Sequence, residues 1–533
     1  MMTRQIAFAR GHCANKPTWR SRTRPRTLGA VALSLLMLLS GCASLDAFAP
    51  RTPSYAMKAS PNALLGQAAA GHQSKHPGQS GFDLLVTGQD ALQARIALAD
   101  AAEHTLDLQY YSVAEDPTTD LLLERILSAA KRGVRVRILL DDIEVSTRAF
   151  ALRALAAEAS IQVRIFHPFF TRRWLGVGRI LEFLVDGERL NRRMHNKLWV
   201  ADNVMAIFGS RNLGDAYFDA NGTGNFSDLD LIAAGPVVTA LSDGFDEYWN
   251  SKSAIPLVAN SEQAFEKKLD GCGGKTLCST NACCSAGAND YLRRVQAAEI
   301  SFMWGTADVF YDKPDAPKVM PAYGIHHGMI DEAVGETSTE SELLFISPYF
   351  IPSGDGLEHL GDMRRRGVRI AVLTNSLAST DAPAAHAGYA RHRTALLARG
   401  VELFELRPEP GGAHPKLHLW GRASASSLHA KVIVINRVRV IVGSMNQDPR
   451  SRLYNTESWV SINSPELAAR VASLFEESTQ AHHSFSLQLR GDGVEWITEE
   501  QGKEVRYKSD PLASKWQRFL NGVTSVLVPE DLL

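Results

Sequence analysis

The feature that most constrains this chain is a stretch that occurs twice. The first copy reads His195-Asn-Lys197, then Asp202, then Gly209-Ser210-Arg211-Asn212. The second reads His429-Ala-Lys431, then Asn436, then Gly443-Ser444-Met445-Asn446. In both, histidine, lysine and the acidic-or-amide position stand at i, i+2 and i+7, and Gly-Ser-x-Asn begins at i+14. A frame with four matching features does not recur by accident, so the chain must fold into something that holds two equivalent segments.

The duplication extends past the motif. Apolar spacing predicts a helix over 91–102, a strand over 105–111, a helix over 119–132 closed by Gly133, and a strand over 134–140 ending at Asp141-Asp142. The same order returns as a strand over 342–347, a helix over 356–366, Gly367, and a strand over 368–373. Arg132-Gly-Val-Arg135 and Arg366-Gly-Val-Arg369 are identical. Strand, helix, strand with short turns is a βαβ unit. Each motif itself reads as strand, turn, strand, and residues two apart on a strand face the same way, so each histidine and its lysine act together. The expected fold class is α/β: duplicated domains, each a mixed β-sheet flanked by helices, packed as a pseudo-twofold pair. A length of 533 residues suits more than one core.

The expected boundaries are 1–42 as a signal peptide, 43–81 as a tether, 82–256 as the first domain, 257–294 as a cysteine-containing linker, 295–484 as the second domain, and 485–533 as a hairpin and apolar tail. Four arginines between Arg20 and Arg26 precede the apolar run 28–39, which leads into Ser40-Gly41-Cys42. Twelve apolar residues are too few to span about 30 Å of hydrocarbon, and the pattern is that of a bacterial lipoprotein signal with Cys42 lipidated. No Asp follows Cys42, which favours the outer membrane over the inner one. The expected location is the cell envelope, facing the periplasm. Cys272, Cys278, Cys283 and Cys284 lack paired C-x-x-C spacing, so disulfides are favoured over zinc, with the pairing open. The segment Trp516 to Leu533 is apolar and aromatic, suited equally to packing on the second domain or to membrane contact.

The repeated residues suit one chemistry. Two lysines and two Gly-Ser-x-Asn segments offer positive charge, hydroxyls and amides to a phosphate oxyanion. Two histidines divide phosphodiester cleavage: one attacks phosphorus, and the other protonates the leaving alkoxide and then deprotonates the incoming nucleophile. Lysine stands where a metal-dependent enzyme has its cation, so neither a metal nor a cofactor is expected. A net charge of −1 provides no global field for polyanions, and no nucleic acid is expected. Asp228 and Glu457, which follow His195 and His429 at comparable distances, are expected to hold the histidines.

These motifs resemble the phospholipase D superfamily, with its paired H-x-K-x4-D and G-S-x-N signatures. Leu190 to Lys197, Asn446 to Ser451, Asn455 to Glu457, Tyr311 to Asp315, and Trp516 to Phe519 with Pro529 and Leu532-Leu533 are similar to its bacterial cardiolipin synthase branch, third, signal-bearing type. The resemblance implies phospholipase D-like domains and a covalent phosphatidyl-histidine, with His195 as nucleophile and His429 as acid/base. It places Lys197, Lys431, Ser210, Asn212, Ser444 and Asn446 around the phosphate, and Asp202 and Asn436 with the catalytic group. Asn436 departs from the motif's Asp, which predicts a tuned second half rather than a dead enzyme. Expected partners are membrane phospholipids, phosphatidylglycerol with phosphatidylethanolamine as a candidate second lipid, met through the lipid anchor, with Arg172, Arg173, Arg179, Arg189, Arg192 and Arg193 as candidate headgroup contacts. No protein partner is indicated. Water in place of a lipid alcohol would make the enzyme a hydrolase or an exported nuclease. A catalytically weak membrane scaffold is the third possibility.

Overall fold

The computed structural model describes residues 51–527, apart from 144–150, 170–181, 183–184, 222–223, 258–286, 296, 298, 316–340, 409–425 and 492. Cys42, the four-cysteine cluster, Arg172, Arg173, Arg179 and residues 528–533 lie outside the described residues.

In the first half the strands are β1 (Ser80–Leu85), β2 (Thr105–Tyr110), β3 (Arg135–Asp141), β4 (Ile161–Phe166), β5 (Leu198–Ala201), β6 (Met205–Gly209), β7 (Asn225–Ser227), β8 (Asp230–Ala234) and β9 (Ala254–Pro256). The second half has β10 (Met303–Tyr311), β11 (Glu342–Ile346), β12 (Arg369–Asn375), β13 (Glu402–Leu406), β14 (Ser426–Leu428), β15 (Val432–Ile435), β16 (Arg439–Gly443) and β17 (Ser458–Asn463), followed by β18 (Ser484–Arg490), β19 (Gly493–Glu500) and β20 (Lys503–Tyr507). The longer helices are α1 (Leu64–Gln73), α2 (Gly88–Ala101), α3 (Pro117–Lys131), α4 (Pro236–Trp249), α5 (Gly354–Arg365), α6 (Pro383–Ala398), α7 (Pro465–Ser478) and α8 (Lys515–Leu527).

The pairings run β4-β3-β2-β5-β6-β8-β1 in the first half and β13-β12-β11-β15-β16-β17-β10 in the second, the same order twice. Within each, the three βαβ strands are parallel and the rest antiparallel. β10 joins the halves, pairing with β1 through Met303 to Gly305 and with β17 through Thr306 to Tyr311. The duplication visible in the residues is therefore a duplication of topology.

Local chemistry explains the units. Asp116 caps α3 by accepting the Thr119 N–H at 3.0 Å, and Ser353 caps α5 through Gly356 at 3.1 Å, each worth about 1 kcal/mol. Gly133 and Gly367 end these helices at φ 95° and 94°, a conformation that costs a side-chain-bearing residue about 1 kcal/mol or more. Every residue of β2 is buried, because a parallel strand is covered on both faces. Its inward-lying Asp107 is matched by Arg137, with two contacts of 2.7 Å. Between the halves, Val237, Phe245 and Trp249 of α4 share one core with Leu467, Val471 and Phe475 of α7. The two halves thus have a common interior.

Two expectations about the ends are corrected. Residues 51–79 are not a loose tether. Arg164 donates to the Thr52 carbonyl at 2.6 Å and Arg137 to that of Ser54 at 2.8 Å, and α1 buries Leu65 completely. Guanidiniums in the sheet need acceptors, and this segment supplies them. The hairpin after residue 484 is present, with Arg490 opposite Gly493, but β18 also pairs with β13 and β20 extends the hairpin. It is the edge of the second-half sheet.

Candidate active site

Each His-x-Lys enters a two-stranded hairpin, β5–β6 or β15–β16. The three-residue turns open with Asp202-Asn203 at φ 52° and 54° and with Asn436-Arg437 at φ 53° and 53°, a left-handed conformation that Asp and Asn tolerate better than most side-chain-bearing residues. Asp202 and Asn436 therefore sit at the opposite hairpin end from the histidines. Asp202 accepts the backbone N–H groups of Glu103, His104 and Thr105 at 3.0, 2.8 and 2.8 Å, and Asn436 accepts that of Glu342 at 3.0 Å. Expected among the catalytic group, both instead tie the turn to an adjacent strand. Asn keeps that bond without the charge. Asp202→Ala is expected to lower stability by about 2–4 kcal/mol, because three N–H donors lose a charged acceptor. Urea unfolding checks this, and kcat per folded molecule should stay within about threefold of wild type if the role is structural.

Crossing of the two halves defines the site. Met194 and Thr456 form a parallel bridge, in which the His195 N–H donates to the Thr456 carbonyl and the Thr456 N–H to that of Arg193, both at 2.8 Å. In the mirror position β14 runs parallel to β7, and the His429 N–H donates to the Ser227 carbonyl at 2.8 Å. These bonds deliver each histidine to the carboxylate of the other half. His195 Nδ1 lies 2.9 Å from Glu457, and His429 Nδ1 lies 2.8 Å from Asp228. An ionised carboxylate only accepts, so Nδ1 carries the proton and Nε2 keeps its lone pair.

The remaining expected residues surround this pair, with one change of role. Ser210 donates its hydroxyl to Asp228 and Ser444 to Glu457. They orient the carboxylates rather than facing a phosphate. Ser451 adds a third bond to Glu457 at 2.8 Å. Lys197 Nζ reaches back to the His195 carbonyl at 2.5 Å, and Lys431 does the same to His429. Asn212 joins the Ser112 N–H at 3.3 Å and the Tyr217 hydroxyl at 3.0 Å. Asn446 is buried, and its side-chain oxygen is unpaired among the described residues. The motif glycines are needed for close approach. A Cβ on Gly209 would lie 2.4 Å from Asp230 Oδ1, and one on Gly443 would lie 2.2 Å from the Ser458 carbonyl.

Burial controls the charges. It pushes His195 down to about 4, against the opposing pull of Glu457 and with help from Lys197 and Lys431. His429 is lowered by burial and Lys431, but Asp228 and Asp381 both favour its protonated form. Lys197 is held well below the usual lysine range by burial and by Lys431, and Lys431 is brought to about 8 by burial. Burial alone would raise Asp228, yet His429, Arg211 and Lys431 hold it below the ordinary carboxylate range. In the free enzyme His195 is thus neutral near pH 7, with the lone pair on Nε2. Activity that needs a neutral His195 falls as pH drops through about 4, and activity that needs a cationic Lys431 falls as pH rises through about 8. A bell-shaped kcat/KM profile is the expected result, with its acid limb at about 4 and its alkaline limb set first by loss of the His429 proton, which burial and Lys431 bring below the ordinary histidine range, and then by Lys431 at about 8.

Several site residues escaped the sequence reasoning. Asp141, at the end of β3, accepts from Arg193 at 3.3 Å and from the Met194 N–H at 2.9 Å, and burial pushes it up to about 6. Its counterpart Asn375 brackets Leu428 with two bonds of 2.9 Å. Asp312 holds the Glu457 N–H at 3.0 Å. Tyr111 stands edge-on to His195 at 4.9 Å, and Tyr217 and Phe226 flank His429 at 5.4 and 5.2 Å. Asp381, bonded by Tyr349 at 2.9 and 3.0 Å, lies behind Ser427. The matching strand ends of the two βαβ units were the available signal for Asp141 and Asn375. Arg193 and Arg189, expected at headgroups, are instead paired with Asp141 and with Glu182 and Asp186.

Two buried His-Lys pairs, each braced by the carboxylate of the opposite half, on twin α/β units define a phospholipase D-type phosphoryl-transfer enzyme. The chain belongs to the cardiolipin synthase family of phospholipase D-like proteins: the family model described as "Cardiolipin synthase, PLD-like domain" matches residues 96–249 and 336–479, one match per half. Cardiolipin synthase C of Escherichia coli is 39% identical over 86% of this chain and 98% of its own length. An uncharacterized protein of Helicobacter pylori is 32% identical over 88% and 92%. Among solved structures, phosphatidylserine synthase from Haemophilus influenzae shares the fold, with a TM-score of 0.55 and 13% identity over 88% of this chain and 100% of that one. The chain is a phosphatidyltransferase of this superfamily.

Proposed function

We propose that this enzyme makes cardiolipin by passing a phosphatidyl group from phosphatidylglycerol, through His195, to the headgroup alcohol of a second phospholipid. The observation that carries this is the crossed carboxylate pairing, which fixes the proton on Nδ1 of both imidazoles. His195 Nε2 attacks phosphorus, and the bond to the departing alcohol breaks. His429, brought toward protonation by Asp228, Asp381 and the arriving anion, gives that alcohol its proton. The acceptor hydroxyl then returns its proton to His429 and displaces His195 from phosphorus. Lys197, Lys431 and Asn446 are positioned to meet the phosphate oxygens, and the anion restores the charge that burial takes from the lysines.

What favours His195 over His429 as nucleophile is this asymmetry of charge. Burial lowers both histidines; at His195 two lysines then stand against the one carboxylate of Glu457, whereas at His429 Lys431 stands against the two carboxylates of Asp228 and Asp381. Incubation with labelled phosphatidylglycerol, with and without phosphatidylethanolamine, tests the function. Labelled cardiolipin is expected. Phosphatidic acid alone would replace transfer by hydrolysis, and no turnover would favour a scaffold.

No helix among the described residues is long and apolar enough to cross a membrane. The proposed attachment is lipidation at Cys42, with the protein held at the outer membrane and facing the periplasm. Cys42→Ser is expected to abolish lipid labelling, and labelling that persists would refute the anchor.

A further inference from the structure

The C-terminal helix α8 is packed inside out. Trp516, Phe519, Leu520, Val523, Val526 and Leu527 fall on one stripe about 120° wide. All six are exposed, Phe519 by 58%, Val526 by 82% and Leu527 by 72%. The half-buried side of the helix is the polar one, with Arg518, Asn521 and Thr524. Asn521 accepts from His386 Nδ1 at 3.2 Å, Arg391 reaches the Thr524 carbonyl at 3.4 Å, and Arg518 bonds the Asp510 carbonyl at 3.0 Å. A core beneath secures these contacts. Arg393 lies 2.8 Å from Glu405, 2.8 Å from Asp510 and 2.9 Å from His386 Nε2, so a guanidinium occupies the one His-Glu-Asp cluster among the described residues with metal-ligand spacing.

A helix that folds its polar side inward and leaves such a stripe in water needs a further partner. We propose that α8 docks the enzyme on an anionic phospholipid surface, its apolar stripe lying in the headgroup–acyl boundary. Three observations select that partner. The helix has no acidic residue, and Lys515 is exposed at its start beside the stripe, which suits an anionic surface. It combines an aromatic and aliphatic stripe with a polar back, the design of an interfacial helix. It also adjoins the site: Ala513, just before it, packs with Leu377 and Ala378, in the loop after Asn375, which holds Leu428 next to His429. Docking would bring the second-half wall of the site to the lipid surface. The inference rests on phospholipid being the substrate.

The test uses the full chain and a variant carrying Phe519→Ser, Val526→Ser and Leu527→Ser. Three readouts are needed: turnover on phosphatidylglycerol vesicles, turnover on dispersed short-chain phosphatidylglycerol, and deuterium uptake over 515–527 with and without vesicles. Vesicles should protect the wild-type helix. The variant should lose about tenfold or more of its vesicle rate while keeping its rate on dispersed lipid. Equal uptake with and without vesicles, or a variant with an intact vesicle rate, would overturn the proposal. So would sedimentation showing that the substitutions merely split a dimer without affecting vesicle turnover. Protection of the helix in an enzyme that makes no cardiolipin would support docking and place the failure in the functional assignment.

Discussion

His195→Ala is expected to lower kcat by about 10⁵-fold or more, the scale on which removal of a covalent nucleophile acts. In the proposed mechanism its Nε2 bonds phosphorus, and among the described residues only His429 has an equivalent carboxylate-braced position. His429→Ala should be equally slow with natural lipids, for a different reason: the departing alkoxide needs a proton. A phosphatidyl ester of nitrophenol separates the two, because nitrophenolate leaves without one. With that substrate His429→Ala should release one equivalent of nitrophenol in a burst, and His195→Ala should release none. Stopped-flow absorbance checks both.

The second large effect comes from the opposite half of the molecule. Glu457→Gln is expected to reduce kcat by about 10³–10⁴-fold, comparable with neutralising the orienting carboxylate of other histidine-centred sites. Glu457 receives His195, Ser444 and Ser451 together. Glutamine preserves the volume but removes the charge that would stabilise the substituted, cationic imidazole of the proposed intermediate. It also leaves at least one of those donors facing an NH2 group. Steady-state kinetics combined with thermal unfolding will distinguish this from misfolding. A loss under tenfold would mean that Glu457 only packs.

Much of this architecture was legible in the residues because it is local. The apolar spacing, the glycine stops and the identical Arg-Gly-Val-Arg segments each act within a few positions, and both βαβ units lie where those signals put them, each helix beginning two residues earlier at a cap the spacing did not show. The motif frame also located the histidines and lysines that the fold brings together. Partners joined by long-range backbone pairing were not legible. Glu457 and Asp228 trail the histidines of their own halves by similar intervals, and only the bridges at Met194–Thr456 and β14–β7 reveal that each serves the other half. The same holds for Asp202, which the motif groups with the catalytic residues and whose three amide donors come from the far side of the hairpin turn. The orientation of α8 was hidden for another reason. Its apolar stripe is plain in the residues, but amphipathic spacing does not say which face the domain will take, and here His386, Arg391 and Asp510 provide polar partners for the polar face.

The most direct test of the central claim is to trap the intermediate. Enzyme mixed with phosphate-labelled phosphatidylglycerol is quenched in alkali within the first turnover, digested and mapped by mass spectrometry. The mechanism predicts an acid-labile, alkali-stable phosphatidyl adduct on the peptide containing His195, absent in His195→Ala and persisting in His429→Ala with the nitrophenyl ester. An adduct on His429, or cardiolipin formed with no adduct at any time point, would contradict it.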